Sequence, residues 1–196
     1  MEKKIAYIAL FAALIAALGL VPKITLAFGV PITAQSLGIM LCGTILGAKR
    51  GGLAVLLFLL LVAIGLPLLS GGNGGLGVFV SASGGFLLAW PLSAFVTGLI
   101  VEKWRSGPLV LVATVGSVIG CILVMYLFGI IGMSIVLDKT LLQATGFVTA
   151  FIPGDIIKAI IAGLLTAAIA KARPASLLSR PCLLYTSPSP RDLKLS

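Results

Sequence analysis

The chain contains no histidine, and only five of its 196 residues are acidic. A Ser-His-Asp triad and an HExxH zinc site are therefore excluded. There is no GxxxxGK[ST] loop, so ATP is not bound by that route. No CxxC pair occurs. Of the three cysteines, Cys42 and Cys121 lie inside apolar runs and Cys182 near the end; that spacing fits neither a metal site nor a disulfide framework, and the first two read as packing residues. Charge is scarce altogether, at 10% of residues against 60% apolar, where a soluble domain carries about 25%. So few charges cannot cover so much apolar surface in water.

What is present is a series of continuous apolar runs near the ~17–25 residues that cross a bilayer. They do not alternate, which excludes a β-barrel. The fold class expected is an all-α integral membrane protein with six transmembrane helices, at about residues 5–21, 35–46, 53–69, 86–101, 109–136 and 156–170. Residues 145–152 form a possible lead-in to the last, and Pro153-Gly154 is expected to break any helix running through it. The first run follows Lys3-Lys4 like a signal peptide, but no clean cleavage site follows, and it reads as the first span.

The net charge of +9 is a topology signal rather than a nucleic-acid signal. With the N-terminus inside, Lys3, Lys4, Lys49, Arg50, Lys103, Arg105, Lys171 and Arg173 fall on the cytoplasmic side, and only Lys23 and Lys139 fall outside. Eight against two predicts an N-in/C-in arrangement. The second run is short: a dozen residues rise about 18 Å against a core of about 30 Å. Residues 28–35 are thus a candidate cavity wall, because irregular backbone at membrane depth must be buried or line a cavity. Gly43-x3-Gly47 and Gly116-x3-Gly120 suit close packing within the chain. Alanine stripes in two phases, Ala9/Ala13/Ala17 and Ala12/Ala16, mark the first helix. Residues 174–196 depart from this pattern. The stretch CLLYTSPSPRD resembles translated adapter sequence, and the tail is expected to be disordered, leaving residues 1–173 as one six-helix domain.

Three polar features lie on the expected outer side. Asp155 and Lys158, spaced i, i+3 in FIPGDIIKA, share a helix face; they mark either a substrate path or a local pair at a helix start. Residues 71–85, seven of them glycine, form an extracytoplasmic loop between the third and fourth helices with Asn73 in its midst, suited to a lid or a flexible connector. Thr33, Gln35 and Ser36 stand at the entry of the short helix, where Thr33 also suits a cap. Together they describe a pocket for a small, mostly apolar molecule with a polar head, possibly a carboxylate.

The block VPITAQSLGIMLCGTILGAKRGGLAVLLFLLLVAIGLPLLSGGNGGLGVF resembles the BioY family, the biotin-specific S-components of energy-coupling factor (ECF) transporters, as does FIPGDIIKA. The resemblance runs from about residue 1 to 173. It implies a multi-pass subunit of a prokaryotic cell membrane that binds biotin from outside. Its implied partners are a transmembrane coupling (T) subunit and two cytoplasmic ATPase subunits, with no cofactor and no catalysis of its own. It also implies that Asn73, Asp155 and Lys158 line the biotin pocket, to which Gln35 and Thr33 are added from their place at the entry of the short helix, and that the stripe Ala9, Ala13 and Ala17 docks the coupling subunit, with Ala12 and Ala16 as the other phase. The chemistry suits biotin, since Asp155 can accept from a ureido N–H, and Asn73 or Lys158 can donate to the carbonyl. Lys158 could instead meet the valerate carboxylate. Rival readings are an S-component for another vitamin and a membrane subunit without a transported ligand.

Overall fold

The protein is described by a computed structural model that covers residues 2–25 and 30–180. Helix α1 spans Glu2–Leu18, and a minimal antiparallel ribbon follows, β1 Ile24–Thr25 pairing β2 Pro31–Ile32 with Ile24 opposite Ile32. This ribbon and an isolated bridge between Leu69 and Asn73 are the departures from an all-helical plan among the described residues. Helix α2, Gln35–Leu41, runs into a π-helical turn, Cys42–Leu46, so the short second run has the expected bounds. Helix α3 is Ala48–Ala63, α4 Gly84–Lys103, and α5 Leu109–Ser117 continues through a π-turn, Val118–Val124, into α6, Met125–Val136. Helix α7, Leu141–Val148, passes through a 3-10 turn, Thr149–Phe151, into α8, Ile152–Ala172.

Among the described residues, three continuous runs are long and apolar enough to cross a membrane: Gly84–Lys103, Leu109–Val136 and Leu141–Ala172. Helices α1 and α3, with 17 and 16 residues, are slightly shorter. The surface carries exposed Leu53, Leu60, Leu88, Leu123, Leu127 and Leu164, as lipid-facing helices do.

Several boundaries differ from expectation for local reasons. Helix α3 begins five residues early and stops at Ala63, because Gly65 takes φ +107° just past the helix end, the left-handed position that glycine favours. Pro153 does not break the last helix. It sits in the first turn of α8, where a missing N–H is harmless, and the irregularity falls earlier, at Thr149–Phe151. The glycine-rich loop is shorter than expected, since Gly84 and Gly85 already belong to α4 and Leu76–Val80 forms a 3-10 turn. Residues 174–180, expected within a disordered tail, instead pack against the body. Leu177 and Ser179 are buried, Tyr7 donates to Ser176 at 3.0 Å, and Ser179 donates to the Thr44 carbonyl at 2.5 Å. Residues 181–196, including Cys182, and residues 26–29, which take in positions 28 and 29 of the expected cavity wall, lie outside the described residues.

Helix α4 is the hub, touching α2, α3, α5, α6 and both π-turns. Small residues let it be approached so closely. A Cβ added at Gly43 would meet the Ala94 carbonyl at 2.6 Å and Thr97 Cβ at 2.7 Å; one at Gly120 would meet the Ser93 carbonyl at 2.6 Å and Thr97 N at 2.8 Å. The two Gly-x3-Gly motifs thus serve packing inside the chain, as their composition suggested. At the basic end, Gly47 takes φ +84° and offers no side chain to cap α3. The Glu102 carboxylate from α4 does so instead, accepting from Ala48 N at 3.0 Å.

Overpacking the α4 seam should therefore be costly. Gly120→Leu is expected to destabilise the protein by about 1–3 kcal/mol and lower its thermal unfolding temperature in detergent. Gly146→Ala, with nothing within 4 Å of the added Cβ, should be neutral or mildly stabilising. Equal unfolding temperatures for both variants would contradict this packing.

Candidate functional site

Four side chains converge where the first turns of α2 and α8 meet the start of α6. Asp155 sits in the first turn of α8, where the helix dipole favours an anion, and is 4% exposed. Its Oδ1 accepts from Lys158 Nζ at 2.9 Å and from Ser36 Oγ at 3.2 Å, and its Oδ2 accepts from Tyr126 Oη at 2.6 Å. Lys158 is one turn further on, and its ammonium donates also to the Thr33 carbonyl at 2.7 Å and to Ser36 Oγ at 2.9 Å. All three of its N–H groups are engaged. Ser36 is a relay, accepting from Lys158 and donating to Asp155. This is the one ion pair among the described residues. Loss of either partner would strand a buried charge, a penalty of several kcal/mol.

A second cluster anchors the neighbouring loop. Gln35, 1% exposed, donates through Nε2 to the carbonyls of Ile15 and Leu68, both at 3.1 Å, and accepts from Ser70 N at 3.0 Å. One side-chain amide thereby ties the end of α1, the start of α2 and the loop after α3. The loop is folded further by a bridge between Leu69 and Asn73, with Gly71, Gly72 and Gly75 at positive φ.

Above these clusters lies a cavity of about 430 Å³, within the range of small-molecule sites. It opens at the end of the helices opposite the basic pairs. Its floor is Asp155, Lys158, Ser36 and Tyr126; its walls include Val30, Ile32, Leu69, Phe86, Leu87, Trp90, Met125 and Phe151; its lining also includes Lys23, Asn73 and Ser81. Phe86 lies edge-on to Tyr126, with centroids 6.3 Å apart, and Trp90 stacks on Phe58 at 6.1 Å, so the aromatic wall is itself held in place.

The five polar residues singled out from the sequence all line this cavity, but in different states. Asp155 and Lys158 form its charged floor. Asn73 is exposed on the loop and makes one side-chain bond, to the Ser70 carbonyl at 3.3 Å. Gln35 has both N–H groups committed to the protein and can offer a ligand only a carbonyl lone pair. Thr33 contributes its carbonyl to Lys158, and its hydroxyl accepts from Gln35 N at 3.3 Å; the residue at the N-cap position is Ala34. Ala9, Ala13 and Ala17 are away from the cavity, exposed along α1, whereas Ala12 is buried and Ala16 half-buried. The outward alanine phase is thereby distinguished from the inward one. Tyr126, Trp90, Phe86 and Lys23 were not singled out. Tyr126 carried a usable signal, a phenol within an apolar run that must find a partner when buried. The others look like ordinary wall and loop residues until the fold gathers them. Among the described residues, no three His, Cys, Asp or Glu side chains cluster as a metal site.

A sequence model of the BioY family matches residues 2–175. A protein of Rhodobacter capsulatus named biotin transporter BioY is 52% identical over 189 residues, covering 92% of this chain and 100% of the relative. A biotin transporter BioY of Rhizobium etli is 53% identical over 167 residues, covering 82% and 89%. Among solved structures, the S-component for biotin from an ECF-type ABC transporter superposes with a TM-score of 0.82 at 35% identity, covering 87% of this chain and 92% of that one.

The Gln35 clamp makes a stability prediction distinct from ligand binding. Gln35→Leu removes the side-chain partner of the Leu68 carbonyl and of the Ser70 N–H, and one of two donors to the Ile15 carbonyl, at about 1–3 kcal/mol for a buried group left unsatisfied. It is expected to lower the unfolding temperature and speed proteolysis of the loop at residues 65–75. Asn73→Ala, on an exposed side chain, should alter neither. An unchanged unfolding temperature for Gln35→Leu would refute the clamp.

Proposed function

The chain belongs to the BioY family, and on that premise we propose that it captures biotin from outside the cell and serves as the S-component of an ECF-type transporter. The observation that carries this is the hydrogen-bonding floor under an apolar-walled cavity. Biotin's ureido ring presents two N–H donors and a carbonyl acceptor, and its thioether ring and valerate chain are apolar. Asp155, paired with Lys158 at the positive end of α8, is the acceptor for a ureido N–H. Asn73 is the donor available to the carbonyl without dismantling the three contacts of Lys158. The aliphatic and aromatic wall takes the rest of the molecule, and the chain itself catalyses no reaction.

In the same reading the six helical runs are six spans, N-in and C-in, in the cytoplasmic membrane of a prokaryote. The distribution of basic residues supports that orientation, which turns the cavity outward. ATP is hydrolysed on two cytoplasmic partner subunits, and a transmembrane coupling subunit docks on α1. The exposed phase Ala9, Ala13 and Ala17 supports that docking, since side chains of this size let another helix come close.

Asp155→Asn keeps the shape but removes the charge and turns one acceptor into a donor. Biotin affinity measured by titration calorimetry should fall more than tenfold, corresponding to about 2–5 kcal/mol. Unchanged affinity, or tighter binding of another vitamin by the wild type, would refute the assignment.

For the docking face, Ala13→Trp should abolish co-purification with the coupling subunit while leaving biotin binding by the isolated chain intact. Normal co-purification and uptake would place the docking surface elsewhere.

A further inference from the structure

Three charged side chains line the cavity: Lys23, Asp155 and Lys158. Asp155 and Lys158 are paired at 2.9 Å and cancel. Two cations against one anion leave the lining with a net charge of +1, and the surplus resides on Lys23. Lys158 cannot supply that charge to an anion without surrendering one of its bonds to Thr33, Ser36 or Asp155. Lys23 has no such commitment. Among the described residues its ammonium makes no ion pair and no hydrogen bond, and the side chain is half-buried. It lies across Gly71, where an added Cβ would meet its Cε at 2.7 Å and its Nζ closer still. Gly71, at φ +83°, thus leaves the groove in which the lysine rests. The cavity lining therefore holds a neutralised hydrogen-bonding cluster and one uncompensated cation.

We propose that Lys23 is the residue that receives the carboxylate of the bound ligand, which selects an elongated monoanion with a hydrogen-bonding head over a neutral molecule of the same shape. This rests on the biotin reading above and adds the placement of the ligand: ureido ring down on Asp155, valerate up toward Lys23. The charge balance also fits, because a monoanion makes the occupied cavity neutral. Lys23 is half-buried, so the strength of the contact is that of a partly exposed ion pair, screened by salt.

The test is titration of the full-length protein in detergent with biotin and with biotin methyl ester, the same molecule without the charge. Wild type should bind biotin about fivefold more tightly than the ester, the scale of a single ion pair of about 1 kcal/mol, and the difference should shrink at high salt. Lys23→Gln should lose that preference by weakening biotin alone, and Lys23→Arg should restore most of it. If Lys23→Gln weakens acid and ester equally, the lysine supports the loop rather than the carboxylate, and the proposal fails. It also fails if neither affinity moves. Wild type that binds the ester but not the acid would overturn it, whereas wild type with no affinity for either would overturn the biotin reading itself.

Discussion

An ion pair placed at the start of the last helix organises this protein. Asp155 and Lys158 lie in a body whose other buried polar side chains, among the described residues, are uncharged, and an isolated charge there would be penalised heavily by desolvation. Four conditions make the carboxylate tolerable: the lysine one turn on, the Tyr126 phenol, the Ser36 hydroxyl and the positive end of α8. Those partners come from three helices. The pair can be satisfied only when α2, α6 and α8 are in one particular arrangement, and that arrangement is the floor of the cavity. The contacts that shape the cavity floor are thus the same ones that position the helices.

The lysine's full engagement has a functional side. A ligand entering the cavity finds a carboxylate with acceptor capacity but an ammonium whose donors are already directed at the protein. Lys158 therefore acts chiefly by pairing with Asp155 and fixing its direction. The Gln35 amide does comparable work for the cavity lining, fixing the loop after α3 to α1 and α2 through backbone groups rather than side chains. Such a clamp is insensitive to the loop's side chains, which leaves them free to meet ligand.

Elsewhere the structure is held by proximity of backbone. Lipid offers apolar side chains no contrast with the protein interior, so close packing takes over the role of the hydrophobic effect. Gly43 and Gly120 bring the two π-turns against the same stretch of α4, around Thr97. The extra residue in each π-turn shifts the phase of the helix that follows, and one of those helices opens with Met125 and Tyr126, both in the cavity lining.

The sequence by itself determined the class, the number and approximate bounds of the helical runs, and the polar residues worth attention. These depend on local or additive properties: run length, charge at run ends, and the rarity of Asp, Lys and Asn in apolar surroundings. Thr33, Gln35, Asn73, Asp155 and Lys158 could be found because each is conspicuous where it stands. Boundaries such as Ala63, where Gly65 stops α3, and the tolerated Pro153 required knowing which backbone groups had partners. What each polar group does was decided only by the tertiary structure. Gln35 and Lys158 look as available as Asn73 in a sequence, but the Gln35 donors are consumed by the remote carbonyls of Ile15 and Leu68, and those of Lys158 by the Thr33 carbonyl, the Ser36 hydroxyl and the Asp155 carboxylate. Tyr126 and Trp90 read as span residues until helix packing turns them inward, and the two alanine phases of α1 are equivalent until the body covers one. Hydrogen-bond commitment and facing are pairwise properties of distant segments, and no local pattern encodes them.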